Sequence, residues 1–356
     1  MRIWDHAMRA MAIGTLLLSL SSQAAEYPAP KEAVWIARDF RFHTGEVMPE
    51  LRVNYTTVGA PTGEPVLILH GTYGSGTGLL SPTFAGELFG PGQALDASKY
   101  FVILPDAIGT GKSTKPSDGL RAKFPRYNYD DMVLAQYRLV TEGLGLNRLR
   151  LVLGNSMGGM MTWTWGVTYP GFMDALVPMA SQPSAMASRN WMLRRMMVET
   201  VQKDPAYMNG DYATQPPSLR LANTFYAIAT NGGTLAHQQR APTRAQADKY
   251  VDDQLALPPP RDANDFLYQW SASADYDPAP MLDRIQAPVL AINSADDERN
   301  PHETGVLMRA MQQVKNGRVH LIPASADTRG HGTTGFAKFW AAEVQAFMQT
   351  VPQRAQ

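Results

Sequence analysis

The run Gly154-Asn155-Ser156-Met157-Gly158-Gly159 limits what this chain can fold into more than any other stretch. Before it, Leu149-Arg150-Leu151-Val152-Leu153 is short and mostly apolar, as a buried strand would be. After it, Met160 to Tyr169 has no proline and only Gly166 as a helix-weakening residue, so a helix is expected. Ser156 therefore sits on a turn between strand and helix, in the G-x-S-x-G pattern of a nucleophile elbow. Such a turn strains the serine backbone, and only small neighbours let strand and helix approach closely. Gly154 and Gly158 supply that room.

Bulk composition narrows the field by exclusion. Thirty-two basic against thirty-two acidic residues leave no net field, so neither a nucleic-acid groove nor a polybasic membrane patch is indicated. At 44% hydrophobic and 18% charged residues, the 356-residue chain reads as globular, with ample length for a large core. It contains no cysteine, which removes disulfides, a thiolate nucleophile and thiol-attached lipid together. Arg2 and Arg9 precede the apolar stretch Ala10 to Leu20, and Ser22-Gln23-Ala24 follows with small residues. Residues 1–25 are expected to be a signal peptide cleaved after Ala24 or Ala25, making the protein exported and periplasmic. The stretch is too short for a stable membrane anchor, which needs about 20 apolar residues.

Along the chain, Val34 to Phe42 and Leu51 to Val58 predict an antiparallel hairpin around Gly45-Glu46. Val66 to His70, Tyr100 to Pro105, Ala175 to Met179, Pro288 to Asn293 and Arg318 to Pro323 read as further short strands. Helical spacing appears over Asp130 to Leu144 and Phe336 to Met348. This alternation predicts an α/β fold: a mainly parallel sheet with helices on both faces. The rhythm stops near Pro183 and resumes near Pro280. Residues 26–182 and 283–356 are therefore read as two parts of one core, and 183–282 as a helical lid inserted over the sheet's active edge. The lid's many methionines suit core packing and a deformable apolar surface, and so an uncharged or partly hydrophobic substrate.

A serine hydroxyl is a weak nucleophile, so it needs an imidazole to take its proton and a carboxylate to orient that imidazole. Of seven histidines, His331 stands out, in the flexible loop Thr328-Arg329-Gly330-His331-Gly332-Thr333 after the last strand. The acid is expected in Asn293-Ser294-Ala295-Asp296-Asp297-Glu298, with Asp297 favoured over Asp296. Backbone donors for the oxyanion are expected from Met157, at the helix start, and from Thr72, in the loop after the strand ending at His70, with Tyr73 as second choice. The His70 ring is read as structural. Gly109-Thr110-Gly111-Lys112-Ser113-Thr114 looks like a phosphate loop, but Asp106 stands where a glycine is required and Pro116 blocks the following helix. No cofactor or metal is required by this chemistry.

With those residues in place, the chain resembles the homoserine O-acetyltransferase group of the α/β-hydrolases. The resemblance rests on Gly154 to Met160, on Gly90-Pro91-Gly92-Gln93-Ala94-Leu95-Asp96 leading to Tyr100-Phe101-Val102-Ile103, and on the loops of Asp297 and His331. It implies triad roles for Ser156, Asp297 and His331. In the acetyltransferases an aspartate usually follows the catalytic histidine and meets the substrate's amino group; here Gly332 stands there. An exported protein is also cut off from cytosolic acetyl-CoA. Both points favour an esterase-like serine hydrolase acting on a small-molecule acyl substrate. An O-acyltransferase, a peptidase or amidase, and a non-catalytic binding protein on the same fold are the rivals. Partnership with a second copy as a homodimer is left open.

Overall fold

The computed structural model describes residues 26–353 apart from 231 and 260, so the expected leader, residues 1–25, lies outside the described residues. Eight strands, β1 Lys31–Arg41, β2 Val47–Val58, β3 Glu64–Leu69, β4 Tyr100–Pro105, β5 Leu151–Asn155, β6 Leu176–Met179, β7 Val289–Ser294 and β8 Gly317–Ile322, form one sheet in the order β1-β2-β4-β3-β5-β6-β7-β8. The β1–β2 hairpin is antiparallel and closes at Gly45, as expected; β2 also runs antiparallel to β4. All later neighbours pair in parallel.

Because both faces of the parallel part are covered, its strands are apolar on both sides. Leu67, Leu69, Ile103, Val152 and Val289 point to one face and its core. Val66, Ile68, Val102, Leu104, Leu153 and Val177 point to the other. Helices α1 Tyr129–Arg138, α2 Met157–Thr168 and, later in the chain, Val306–Met311 contribute to the first core. The helix Ala341–Thr350 packs into the second. This last helix starts later than the pattern over Phe336 to Met348 suggests. The Ala337 amide donates to the Thr83 carbonyl at 2.9 Å instead of to a helical turn, and Trp340 bonds only three residues back. Similarly, the helix expected to run to Leu144 is α only to Arg138 and then widens into a π turn over Leu139–Gly143.

Between β6 and β7 lie α3 Ser188–Gln202, α4 Ser218–Thr230, α5 Thr234–Arg240, α6 Arg244–Ala256 and α7 Ala263–Ser271; among the described residues of 183–282 no strand occurs. The two helices already placed after them complete the series as α8 (Val306–Met311) and α9 (Ala341–Thr350). The inserted helices share an apolar cluster of Met197, Val201, Leu219, Phe266, Leu267 and Trp270. Three methionines of the segment behave differently: Met192, Met196 and Met208 are more than half exposed, while Met186 and Met281 are partly buried against the first core. The sheet register brings the C-terminal ends of β3, β5 and β7 to one edge, where ligands gather in such sheets.

Candidate active site

Ser156 lies between β5 and α2 with φ 57° and ψ −113°, a strained conformation for a residue with a Cβ. The glycines around it are there for space. A methyl on Gly154 would strike the Gly158 carbonyl, and one on Gly158 would strike the Leu69 carbonyl of β3. The elbow is thus wedged against the neighbouring strand.

The three residues selected from separate parts of the chain meet here. Ser156 Oγ is 2.7 Å from His331 Nε2, and His331 Nδ1 is 3.0 and 3.1 Å from the two carboxylate oxygens of Asp297. Accepting at Asp297 places the proton on Nδ1 and leaves Nε2 to accept from the serine hydroxyl. Asp297 is 1% exposed and also accepts from the Arg299 amide at 2.8 Å, the Asn300 amide at 3.1 Å and Asn300 Nδ2 at 3.0 Å. Burial pushes its carboxyl up, but the facing His331 ring and these hydrogen bonds outweigh burial and leave it below the ordinary carboxylate range. Asn300 is held in turn, since Nδ2 also donates to the Ala180 carbonyl at 2.8 Å. Sequence reasoning passed over Asn300; nothing but its place in the acidic turn distinguishes it.

Asp296, the second choice for the acid, does not reach the ring. It accepts instead from the Ser294 hydroxyl at 2.5 Å, the Thr328 hydroxyl at 2.6 Å and the Gly330 amide at 3.2 Å.

The loop after β3 passes directly beside the serine. A methyl built on Gly71 would lie 3.5 Å from Ser156 Cβ. Among the described residues, the Thr72 and Met157 amides donate to no protein acceptor, whereas the Tyr73 amide donates to Gln269 Oε1 at 3.3 Å. His70 shapes this loop. Its Nδ1 donates to the Gly71 carbonyl at 2.8 Å and its Nε2 accepts from the Ala107 amide at 3.1 Å. Burial lowers its pKa, which keeps the ring neutral in this structural role. The phosphate-loop look-alike is also structural: it wraps around Asp106, which accepts from Gly76 at 2.6 Å and Lys112 at 2.8 Å.

Beside the Thr72 loop, the segment between β6 and β7 contributes aromatic side chains. Tyr73, whose backbone follows Thr72, packs on Tyr226 of α4 at 5.0 Å and on Phe266 and Trp270 of α7, both at 5.9 Å. Its hydroxyl accepts from Trp270 Nε1 at 2.7 Å. The Arg299 guanidinium lies over Tyr226 and Trp270 at 5.2 and 5.4 Å, and burial lowers its pKa to about 10, so it stays charged at neutral pH. These rings come from three distant segments, and no local sequence pattern announces their convergence.

A mainly parallel sheet with this elbow, and the acid and base following it in chain order, defines a class, and the comparisons agree: the chain belongs to the α/β-hydrolase fold family, which it matches over residues 64–351. Its relatives include the homoserine O-acetyltransferase of Thermobifida fusca (strain YX), 32% identical over 206 residues, which are 53% of this chain and 54% of that protein. A probable esterase of Corynebacterium glutamicum is 31% identical over 204 residues, 56% of this chain and 57% of that one. The chain thus spans a little over half the length of these relatives. In three dimensions it is similar to an acetylester hydrolase from Corynebacterium glutamicum, with a TM-score of 0.76 and 21% identity over 90% of this chain and 96% of the other. It is equally similar to homoserine O-acetyltransferase from Bacillus anthracis, with a TM-score of 0.76 and 21% identity over 92% and 99% of the two chains. At that identity the likeness establishes the fold.

Proposed function

We propose that this protein is a serine hydrolase of small carboxylic esters, working through Ser156, His331 and Asp297. The observation that carries the reading is the unbroken hydrogen-bonded line from the Ser156 hydroxyl through the His331 ring to the buried Asp297 carboxylate. Ser156 Oγ attacks the ester carbonyl carbon as its proton passes to His331 Nε2. The tetrahedral oxyanion accepts from the Thr72 and Met157 amides, each worth roughly 3 to 4 kcal/mol at the transition state. That both amides lack a protein acceptor among the described residues supports this assignment over Tyr73. Collapse expels the alcohol, which takes the proton from His331, and leaves an acyl-serine. Water then attacks the acyl carbon, gives its proton to His331, and releases the acid as Ser156 recovers its hydrogen. Asp297, held ionised, stabilises the imidazolium at each stage.

The esterase among its relatives and the aromatic cluster around Tyr73, next to Thr72, support an uncharged, partly apolar acyl group. The helical insertion acts in this reading as a lid. A second reading, acyl transfer to an alcohol, is supported by the acetyltransferase relatives. Gly332 after His331 offers no carboxylate for a substrate amino group, which favours water as the acceptor. The leader pattern over residues 1–25 supports export to the periplasm. The test is hydrolysis of p-nitrophenyl acetate by the purified chain, with product analysis in the presence and absence of an added alcohol. Acetate as the main product in both conditions supports hydrolysis; an acetylated alcohol dominating whenever acceptor is present would overturn it in favour of transfer.

A further inference from the structure

The adjacent carboxylates Asp296 and Asp297 face different partners. Those of Asp296 come from two elements: Ser294 ends β7, whereas Thr328 and Gly330 flank the turn that delivers His331. Thr328 is fully buried; its hydroxyl accepts from the Ser325 amide at 3.0 Å, and its proton faces Asp296 at 2.6 Å and, at the longer distance of 2.9 Å, the Ser325 carbonyl. Two hydroxyls and an amide converge on a group that only accepts. An ionised carboxylate meets that demand, whereas an amide would set its own N–H against donors.

The helical insertion reaches the same point through its backbone. Gly233, which opens α5, has φ 92°, and a methyl there would fall 2.7 Å from Asp296 Oδ2 and 2.9 Å from the Gly330 amide nitrogen. Gly330 has φ 55°, and a methyl there would fall 2.7 Å from the Gly233 nitrogen. The α4–α5 turn and the histidine loop therefore touch main chain to main chain, with the Asp296 carboxylate at their junction.

We propose that Asp296 is a positioning residue that fixes the His331 loop against β7, and that Gly233 makes the loop's placement depend on the helical insertion. The part of this that concerns turnover rests on the hydrolase reading above; the part that concerns loop order does not. The imidazole must stay within hydrogen-bonding reach of Ser156, and a misplacement of about 1 Å costs roughly 100-fold in rate.

The test uses the full chain with Asp296→Ala, Gly233→Ala, their combination, and the milder Thr328→Val. Hydrogen exchange over residues 325–336 is read beside kcat and KM for p-nitrophenyl acetate. Asp296→Ala is expected to raise exchange over 325–336 while leaving the strands unchanged, and to lower kcat about 10- to 100-fold with KM within about twofold. Thr328→Val should move both in the same direction by less. Gly233→Ala should lower kcat, and adding it to Asp296→Ala should cost less than about threefold more, because both act on one loop. Unchanged exchange over 325–336 in Asp296→Ala and Thr328→Val overturns the proposal, whether or not the protein turns over ester. Effects on kcat that multiply in the double variant overturn the link to the insertion. Absence of serine-dependent turnover in the parent would sink the hydrolase reading, and the exchange data would still judge this one.

Discussion

Ser156 holds a backbone conformation that its own side chain disfavours, at a cost of about 1–3 kcal/mol. Glycine adopts positive φ without that cost. Ser156→Gly is therefore expected to abolish ester turnover and to raise the stability of the fold by about 1 kcal/mol, read as a higher melting temperature. A lower melting temperature in that variant would show that the elbow is not strained. The principal residues were legible in the sequence for a physical reason: the chemistry demands a serine between glycines, then an acid, then a histidine, each just after a strand. Choosing Asp297 over Asp296 could not be justified further from sequence, because one residue of offset in a turn decides which carboxylate meets the ring. Asn300 and the histidine-loop role of Asp296 were invisible, since both depend on where backbone amides point.

At the scale of elements, the strands around the elbow and the helix behind it fit together because Gly154, Gly158 and Gly159 leave no side chain between them; a methyl on Gly159 would strike the Met179 carbonyl of β6. Gly158 is the tightest, with a β3 carbonyl where a methyl would stand. Gly158→Ala is expected to cost roughly 3 kcal/mol or more, measured by denaturant unfolding, because the obstructing atom is backbone and cannot rotate away. A loss under about 1 kcal/mol would mean that α2 can slide away from β3 freely. Strand positions were readable because a strand buried on both faces must be apolar throughout. Helix ends were less so: the start of α9 is set by a hydrogen bond from Ala337 to Thr83, a partner 254 residues away that no local pattern reveals.

Across the whole molecule, the inserted helices are fastened to the core by a buried acid. Asp265 of α7 is 4% exposed and accepts from the Ser117 amide at 2.9 Å and hydroxyl at 2.7 Å. Burial pushes its pKa up to about 6, with the Ser117 hydrogen bonds opposing. The folded chain thus binds this proton more tightly than the unfolded one. Its contribution is fully present below about pH 4 and is lost as pH rises through about 6, amounting to roughly 3 kcal/mol. Asp265→Asn should remove that dependence, so the variant gains stability relative to the parent between pH 5 and 8. Parallel stability curves over that range would contradict it. The lapse in strand rhythm is legible in the sequence, and among the described residues of 183–282 no strand occurs, but the packing of that segment's inner surface was not legible. Met192, Met196 and Met208 are exposed, whereas Tyr226, Phe266 and Trp270 face Tyr73, a convergence of distant segments that composition does not reveal. The most direct measurement is reaction of the purified chain with a fluorophosphonate, followed by mass spectrometry of the labelled peptide. A single adduct on Ser156, slowed by at least about 100-fold in His331→Ala, is the predicted result. No adduct on Ser156, or labelling at the same rate without His331, would contradict the account.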